Sequence, residues 1–273
     1  MTAPRAPHHR LDGPESAPPL ILGPSLGTSL AVWQPQLPGL TRGHRVLRWD
    51  LPGHGGSPAD LLPGEEATVG RLAGLVLAAA DRQGWDRFGY AGISLGGAVG
   101  AYLAAHHPER VEALAVVCSS ARFGEPSGWH DRARLVRERG TAPLLETAPG
   151  RWFADPAATA RTPWGATVLD DLAETDPRGY AACCEALAGY DLRDRLAGIA
   201  APTLVVAGRD DPATPPPHAR ELADGIPGAD LLELARAAHL AGIERPAAVT
   251  AALAAHFAPA PAADPRPTDP RGN

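Results

Sequence analysis

The stretch Gly92-Ile93-Ser94-Leu95-Gly96 constrains the fold of this chain more than any other. An apolar run, RFGYAGI (87–93), leads into it, and a helical pattern, LGGAVGAYLAAHH (95–107), follows. A serine flanked this way at a strand-to-helix junction marks a turn so sharp that its hydroxyl stands clear of the sheet. Residues two before and two after must be small, because the backbone passes close on both sides. Gly97 extends the small surface. With 30 glycines in the chain, the motif alone could arise by chance. What decides is whether the rest of the sequence supplies the partners that such a serine needs.

Six short apolar runs predict strands: 18–23 (PPLILG), 44–50 (HRVLRWD), 87–93, 112–120 (EALAVVCSS), 201–208 (APTLVVAG) and 229–235 (ADLLELA). Helical patterns at 67–82, 95–107, 217–224 and 246–257 alternate with them. Apolar strands alternating with helices predict an α/β fold, with a mostly parallel central sheet and helices on both faces. Between 121 and about 196 the rhythm breaks. That stretch is helical and arginine-rich, carries Trp129, Trp152 and Trp164, and contains no convincing strand. It reads as a helical lid inserted after the fourth core strand, above the carboxyl ends of the strands, where open α/β sheets bind ligands. The expected organisation is a short N-terminal segment (1–17), one domain (18–257) and a disordered Pro/Ala-rich tail (258–273).

A serine hydroxyl is a weak nucleophile without a base to take its proton. In this strand–turn–helix context the expected chain order is Ser, then Asp or Glu, then His. Asp211 follows the fifth predicted strand and His239 the sixth, so both fall on the same sheet edge as Ser94. Asp210 competes with Asp211; the residue before Pro212 is preferred, and the unused aspartate would cap or turn the chain. The alternative is a chance serine, a capping aspartate and a surface histidine. Three residue types in the right order and the right loops weigh against it. Two backbone N–H groups would stabilise a developing oxyanion: Leu95, opening the elbow helix, and Leu26, in the loop GPSLGTS after the first core strand. His54 in LPGHGGS reads as structural, holding a loop beside the site.

Composition removes other classes. A net charge of −6 and an isoelectric point near 5.9 argue against nucleic-acid partners. All 25 basic residues are arginine, which excludes Schiff-base chemistry and a P-loop lysine. Cys118, Cys183 and Cys184 form no disulfide framework, and the adjacent pair reads as packed helix. No His, Asp or Glu cluster has metal spacing, and neither metal nor cofactor is expected. The start lacks a signal-peptide core and the longest apolar stretch, LAGLVLAAA (72–80), is too short to span a bilayer. A cytoplasmic protein without membrane partners is expected; oligomeric state is not set by these patterns.

From about residue 19 to 257 the chain resembles the α/β-hydrolase superfamily, and within it enzymes of the 3-oxoadipate enol-lactonase type. The supporting segments include SLGTSLAVWQPQL, RVLRWDLPGHGGS, GISLGGAVGAYLAAHHPERV, CSSARFGEPSGWHDR, GRWF, DPRGYAACCEAL, APTLVVAGRDDPATPP and AAHLAGIE. The resemblance implies an α/β-hydrolase fold, with Ser94, Asp211 and His239 where the family has its triad. It also implies hydrolysis of 3-oxoadipate enol-lactone, an anionic small molecule of aromatic-acid breakdown. Pro24 and Leu95 depart from residues common among relatives, without removing either backbone donor. A buried substrate carboxylate suits a guanidinium fork. Arg132, beside Trp129, is the first candidate and Arg151, beside Trp152, the second; either could equally be a solvated lid residue. Rival readings are a different carboxylesterase or cofactor-free perhydrolase on the same fold, and a non-catalytic small-molecule receptor.

Overall fold

The computed structural model describes residues 6–62 and 67–258. Seven strands form one sheet in the order β1-β3-β2-β4-β5-β6-β7. They are β1 (His9–Asp12), β2 (Pro19–Gly23), β3 (Arg45–Trp49), β4 (Phe88–Ile93), β5 (Val111–Val117), β6 (Thr203–Gly208) and β7 (Asp230–Leu234). All neighbours are parallel except β1, which pairs antiparallel with β3. The six predicted strands are present. The segment before residue 18 is a correction: it carries β1, whose sequence HRLD has one apolar residue and no alternation to betray it. The run at 112–120 ends early because Cys118 turns the chain with φ of 45°. Of the predicted tail, all but Ala258 lies outside the described residues.

The central strands are largely apolar because both faces are covered, and β4 is buried at every position. Successive residues of a strand point to opposite faces. Tyr90 meets Gly100 of α3 (Leu95–His106), whereas Gly89 meets Phe257, at the end of α12 (Pro246–His256). These two helices therefore cover opposite faces. α2 (Val69–Arg82), N-capped by Thr68, packs against α3, while α1 (Leu37–Leu40) packs against α12. α10 (Pro216–Gly225) covers β6 and β7, and α11 (Ala241–Glu244) leads into α12. Nearly all of α3 is buried, so it is apolar on every side.

Between β5 and β6 stand α4 (Pro126–Arg139), α5 (Ala142–Leu145), α6 (Ala148–Trp152), α7 (Pro156–Thr159), α8 (Pro163–Glu174) and α9 (Pro177–Ala188). Each begins with proline at its first or second position, where no N–H is needed and the fixed φ already suits a helix. Cys183 and Cys184 are buried in α9, which packs against α4. The insertion leaves and rejoins the sheet side by side: Arg122 bridges Asp191, and the Leu192 N–H donates to the Ala121 carbonyl at 2.9 Å. It sits on three loops. Ser29 N–H donates to Asp171 (2.8 Å), Asp176 N–H to the Gly53 carbonyl (2.8 Å), and Leu240 N–H to the Trp152 carbonyl (3.0 Å).

Candidate active site

Ser94 joins β4 to α3 in the left-handed region, with φ of 54° and ψ of −117°. Such a conformation costs a non-glycine residue on the order of 1–3 kcal/mol. The surroundings hold it there. Its N–H donates to the Val117 carbonyl at 2.9 Å, and its carbonyl accepts from Ala98 N–H and from the Ser119 hydroxyl. Gly92 lies against the backbone of Gly96, and Gly96 against the carbonyls of Gly23 and Pro24, so a side chain at either would strike backbone. The small residues that the motif requires are therefore explained by contact.

His239 lies in the loop after β7, and its Nδ1 stands 2.9 Å from Asp211 Oδ2, in the loop after β6. A carboxylate only accepts, so Nδ1 carries the proton and Nε2 is left as an acceptor. Both groups are buried, with Asp211 3% and His239 5% exposed. The two aspartates do not divide their work as expected. Asp211 takes both roles: Oδ1 accepts the N–H groups of Ala213 (2.7 Å) and Thr214 (3.0 Å), while Oδ2 faces the imidazole. Asp210 is exposed. The Thr214 hydroxyl also donates to Asp211 Oδ2 at 2.7 Å. Burial raises the Asp211 carboxyl, but the His239 charge and these hydrogen bonds outweigh it and hold the group below the usual carboxylate range.

Ser94 and His239 line one cavity of about 50 Å³, together with Leu26, Trp129, Arg132, Arg151 and Trp152. All the sequence-predicted lining residues therefore meet. Leu95 opens α3, where first-turn N–H groups have no intrahelical acceptor. Among the turn and loop hydrogen bonds of the described residues, none uses the N–H of Leu26. An outer pocket of about 360 Å³ shares Phe123, Trp129, Arg132, Arg151 and Ala213 with the inner one. Tyr180, Phe123 and Thr214 also line the cavity and were not found from sequence. Only Thr214 left a signal, as the fourth residue of an Asp-Pro-Ala-Thr turn.

Arg132 and Arg151 differ from three other arginines of the insertion. Arg122, Arg134 and Arg137 each hold a carboxylate. Among the described residues, Arg132 and Arg151 hold none. The Arg132 guanidinium lies 5.0 Å from the Trp129 ring centre, a cation–π arrangement. Burial, and then the charge of Arg132, lower the pKa of Arg151. Two guanidinium groups facing one chamber, neither paired with a carboxylate, have the chemistry to receive an anion.

His54 is fully buried and fixes the loop that carries Leu26. Its Nδ1 donates to the Pro52 carbonyl at 2.8 Å, and its Nε2 accepts the Gly27 N–H at 3.0 Å. Burial pushes its pKa down to about 4, against the smaller opposing effects of Pro52 and Asp50. Between pH 6.5 and 4 the unfolded chain therefore binds a proton here that the folded chain does not. Stability should fall as pH drops through that window, by about 2 kcal/mol at pH 5. Denaturant midpoints at pH 7 and 5 test this. The difference should shrink in His54→Gln; an equal difference in both proteins would count against a neutral His54.

The sheet, the strained serine turn and the buried Asp–His pair define a hydrolase of the α/β type. The chain belongs to the alpha/beta hydrolase fold family, whose model matches residues 18–246. Within that family it is similar to 3-oxoadipate enol-lactonases, as the sequence motifs implied. It is 37% identical to 3-oxoadipate enol-lactonase 2 of Acinetobacter baylyi over 244 residues, 89% of this chain and 90% of that one. The crystal structure of the enol-lactonase from Burkholderia xenovorans LB400 superposes with a TM-score of 0.86 at 38% identity, covering 91% of this chain and 95% of that one. A proposed carbamate hydrolase of Stutzerimonas stutzeri, RutD, is 31% identical over 249 residues, 86% of this chain and 91% of that one. Among the described residues no helix is long and apolar enough to cross a membrane.

Proposed function

We propose that this hydrolase opens the ring of 3-oxoadipate enol-lactone to give 3-oxoadipate, a cytoplasmic step of aromatic-acid breakdown. The observation that carries the reading is the meeting of two acid-free guanidinium groups, Arg132 and Arg151, with Ser94 and His239 on one cavity. A neutral ester needs no such pair. An anionic lactone does, because a carboxylate leaving water must be paired. The similarity to named enol-lactonases supports the same substrate class.

In the proposed sequence His239 Nε2 takes the proton of Ser94 as its oxygen attacks the lactone carbonyl. Asp211 keeps Nδ1 protonated and stabilises the imidazolium. The N–H groups of Leu95 and Leu26 receive the oxyanion. The ring C–O bond then breaks. The leaving group is an enolate, more stable than an alkoxide; its oxygen takes the proton from His239 to give an enol, which then moves that proton to carbon and becomes the ketone. The opened chain remains esterified to Ser94 until water, deprotonated by His239, releases the acid.

Direct assay of enol-lactone hydrolysis, beside a neutral aryl acetate, a carbamate and a perhydrolysis reaction, tests the reading. Rapid turnover of the carbamate, with the lactone untouched, would overturn it in favour of carbamate hydrolysis. Arg132→Ala and Arg151→Ala should each lower kcat/KM for the lactone about 10- to 100-fold, the worth of a charged hydrogen bond of ~1.5–3 kcal/mol. The neutral acetate should be nearly unaffected. Equal losses on both esters would remove the arginines from carboxylate binding.

A further inference from the structure

The backbone on both sides of His239 is held from the helical insertion. After it, the Leu240 N–H donates to the carbonyl of Trp152, a wall of the cavity. Before it, the Ala238 N–H donates to Glu244 Oε2 at 2.7 Å. The other oxygen of that carboxylate faces the insertion: Oε1 accepts from Ala154 N–H at 2.8 Å, Thr159 hydroxyl at 3.3 Å and Asp155 N–H at 3.4 Å. One side chain thus spans from the residue before His239 to the segment just beyond Trp152. The carbonyl of Ala238 accepts from the Cys118 thiol at 3.5 Å, so this residue is held through both its N–H and its carbonyl.

The chemistry of the bridge calls for a carboxylate. Three backbone N–H groups and the Thr159 hydroxyl donate to Glu244, and a carboxylate offers two oxygens that only accept. Glutamine has nearly the same shape but one accepting oxygen. Its NH2 would oppose either the Ala238 N–H or the donors of the insertion. The backbone N–H groups could then be held on one side or the other, but not on both.

We infer that Glu244 is a positioning residue, tying the Trp152 wall of the cavity to the His239 loop so that the imidazole keeps its aim only while the insertion is seated. The inference rests on the reading of His239 as the base. Arg151 and Trp152 belong to the same short helix, α6, so a ligand pressing on them also loads the histidine loop.

The experiment compares wild type with Glu244→Gln for lactone hydrolysis, for the rate of Ser94 labelling by a serine-directed phosphonate, and for the downfield proton resonance of His239 Nδ1. Labelling of the wild type tests the proposed reaction; only the ratio of variant to wild type tests Glu244. Misplacing a catalytic group by about 1 Å can cost ~10²-fold. Glu244→Gln should therefore lose about 10- to 100-fold in kcat and in labelling rate, with little change in KM and a shifted or broadened Nδ1 resonance. Unchanged kcat and labelling, or a loss carried wholly by KM, would overturn the inference. Should Glu244→Gln fail to fold by thermal melting, Thr159→Val removes one insertion-side donor and leaves the carboxylate. It should slow labelling severalfold, and an unchanged rate would overturn the bridge.

Discussion

Ser94→Ala should lower turnover of the lactone by about six orders of magnitude, the loss seen when a nucleophile and its base act as one unit. Purified protein, titrated to exclude traces of wild type, gives the measurement; near-normal turnover would remove Ser94 from the reaction. The local backbone adds a second expected result. Alanine inherits the positive φ of the serine, so Ser94→Ala should melt close to wild type. Glycine relaxes there, and Ser94→Gly should be equally inactive yet more stable, by an amount on the order of 1–3 kcal/mol. A catalytic loss accompanied by a gain in stability separates a chemical role from a structural one.

Asp211→Asn should cost about 10⁴-fold in kcat, the loss expected when the imidazole is held in the wrong tautomer. The direction follows from the turn. Ala213 and Thr214 N–H both point at Oδ1, so the amide oxygen must stay there. The NH2 then falls at the Oδ2 position, against His239 Nδ1. It makes Nδ1 the acceptor and places the proton on Nε2, where it blocks uptake from Ser94. KM should change little, because Asp211 is not among the cavity-lining residues. A variant retaining a tenth or more of wild-type kcat, by the same tautomer argument worth ~10⁴, would reject the assignment.

The elements that position the site were legible because each carried its own local signal. β4 and α3 are apolar runs joined by small residues; the loop of Asp211 follows a continuous apolar strand and that of His239 a leucine-rich one. β1 was not legible: a four-residue edge strand is specified by its partner β3 rather than by its own pattern. The two arginines could be named but not ranked from sequence. What sets them apart from Arg134 and Arg137 is the missing carboxylate: Arg134 finds Asp131 on its own helix, but Arg137 reaches Glu185 only through the packing of α4 on α9. Glu244 was invisible for a similar reason, since its donors are mostly backbone N–H groups, up to 90 residues away. Thr214 was within reach, three residues beyond Asp211 in a turn rich in proline.

The adjoining ends of the insertion, at Ala121 and Leu192, make a single doorway in the frame. A segment of different length can be spliced through that doorway without stretching the sheet or shifting β5 against β6. Such a graft would bring its own chamber walls, and with them a new range of substrates. It would also have to fill the sockets beneath, at Ser29, Gly53, Leu240 and Glu244.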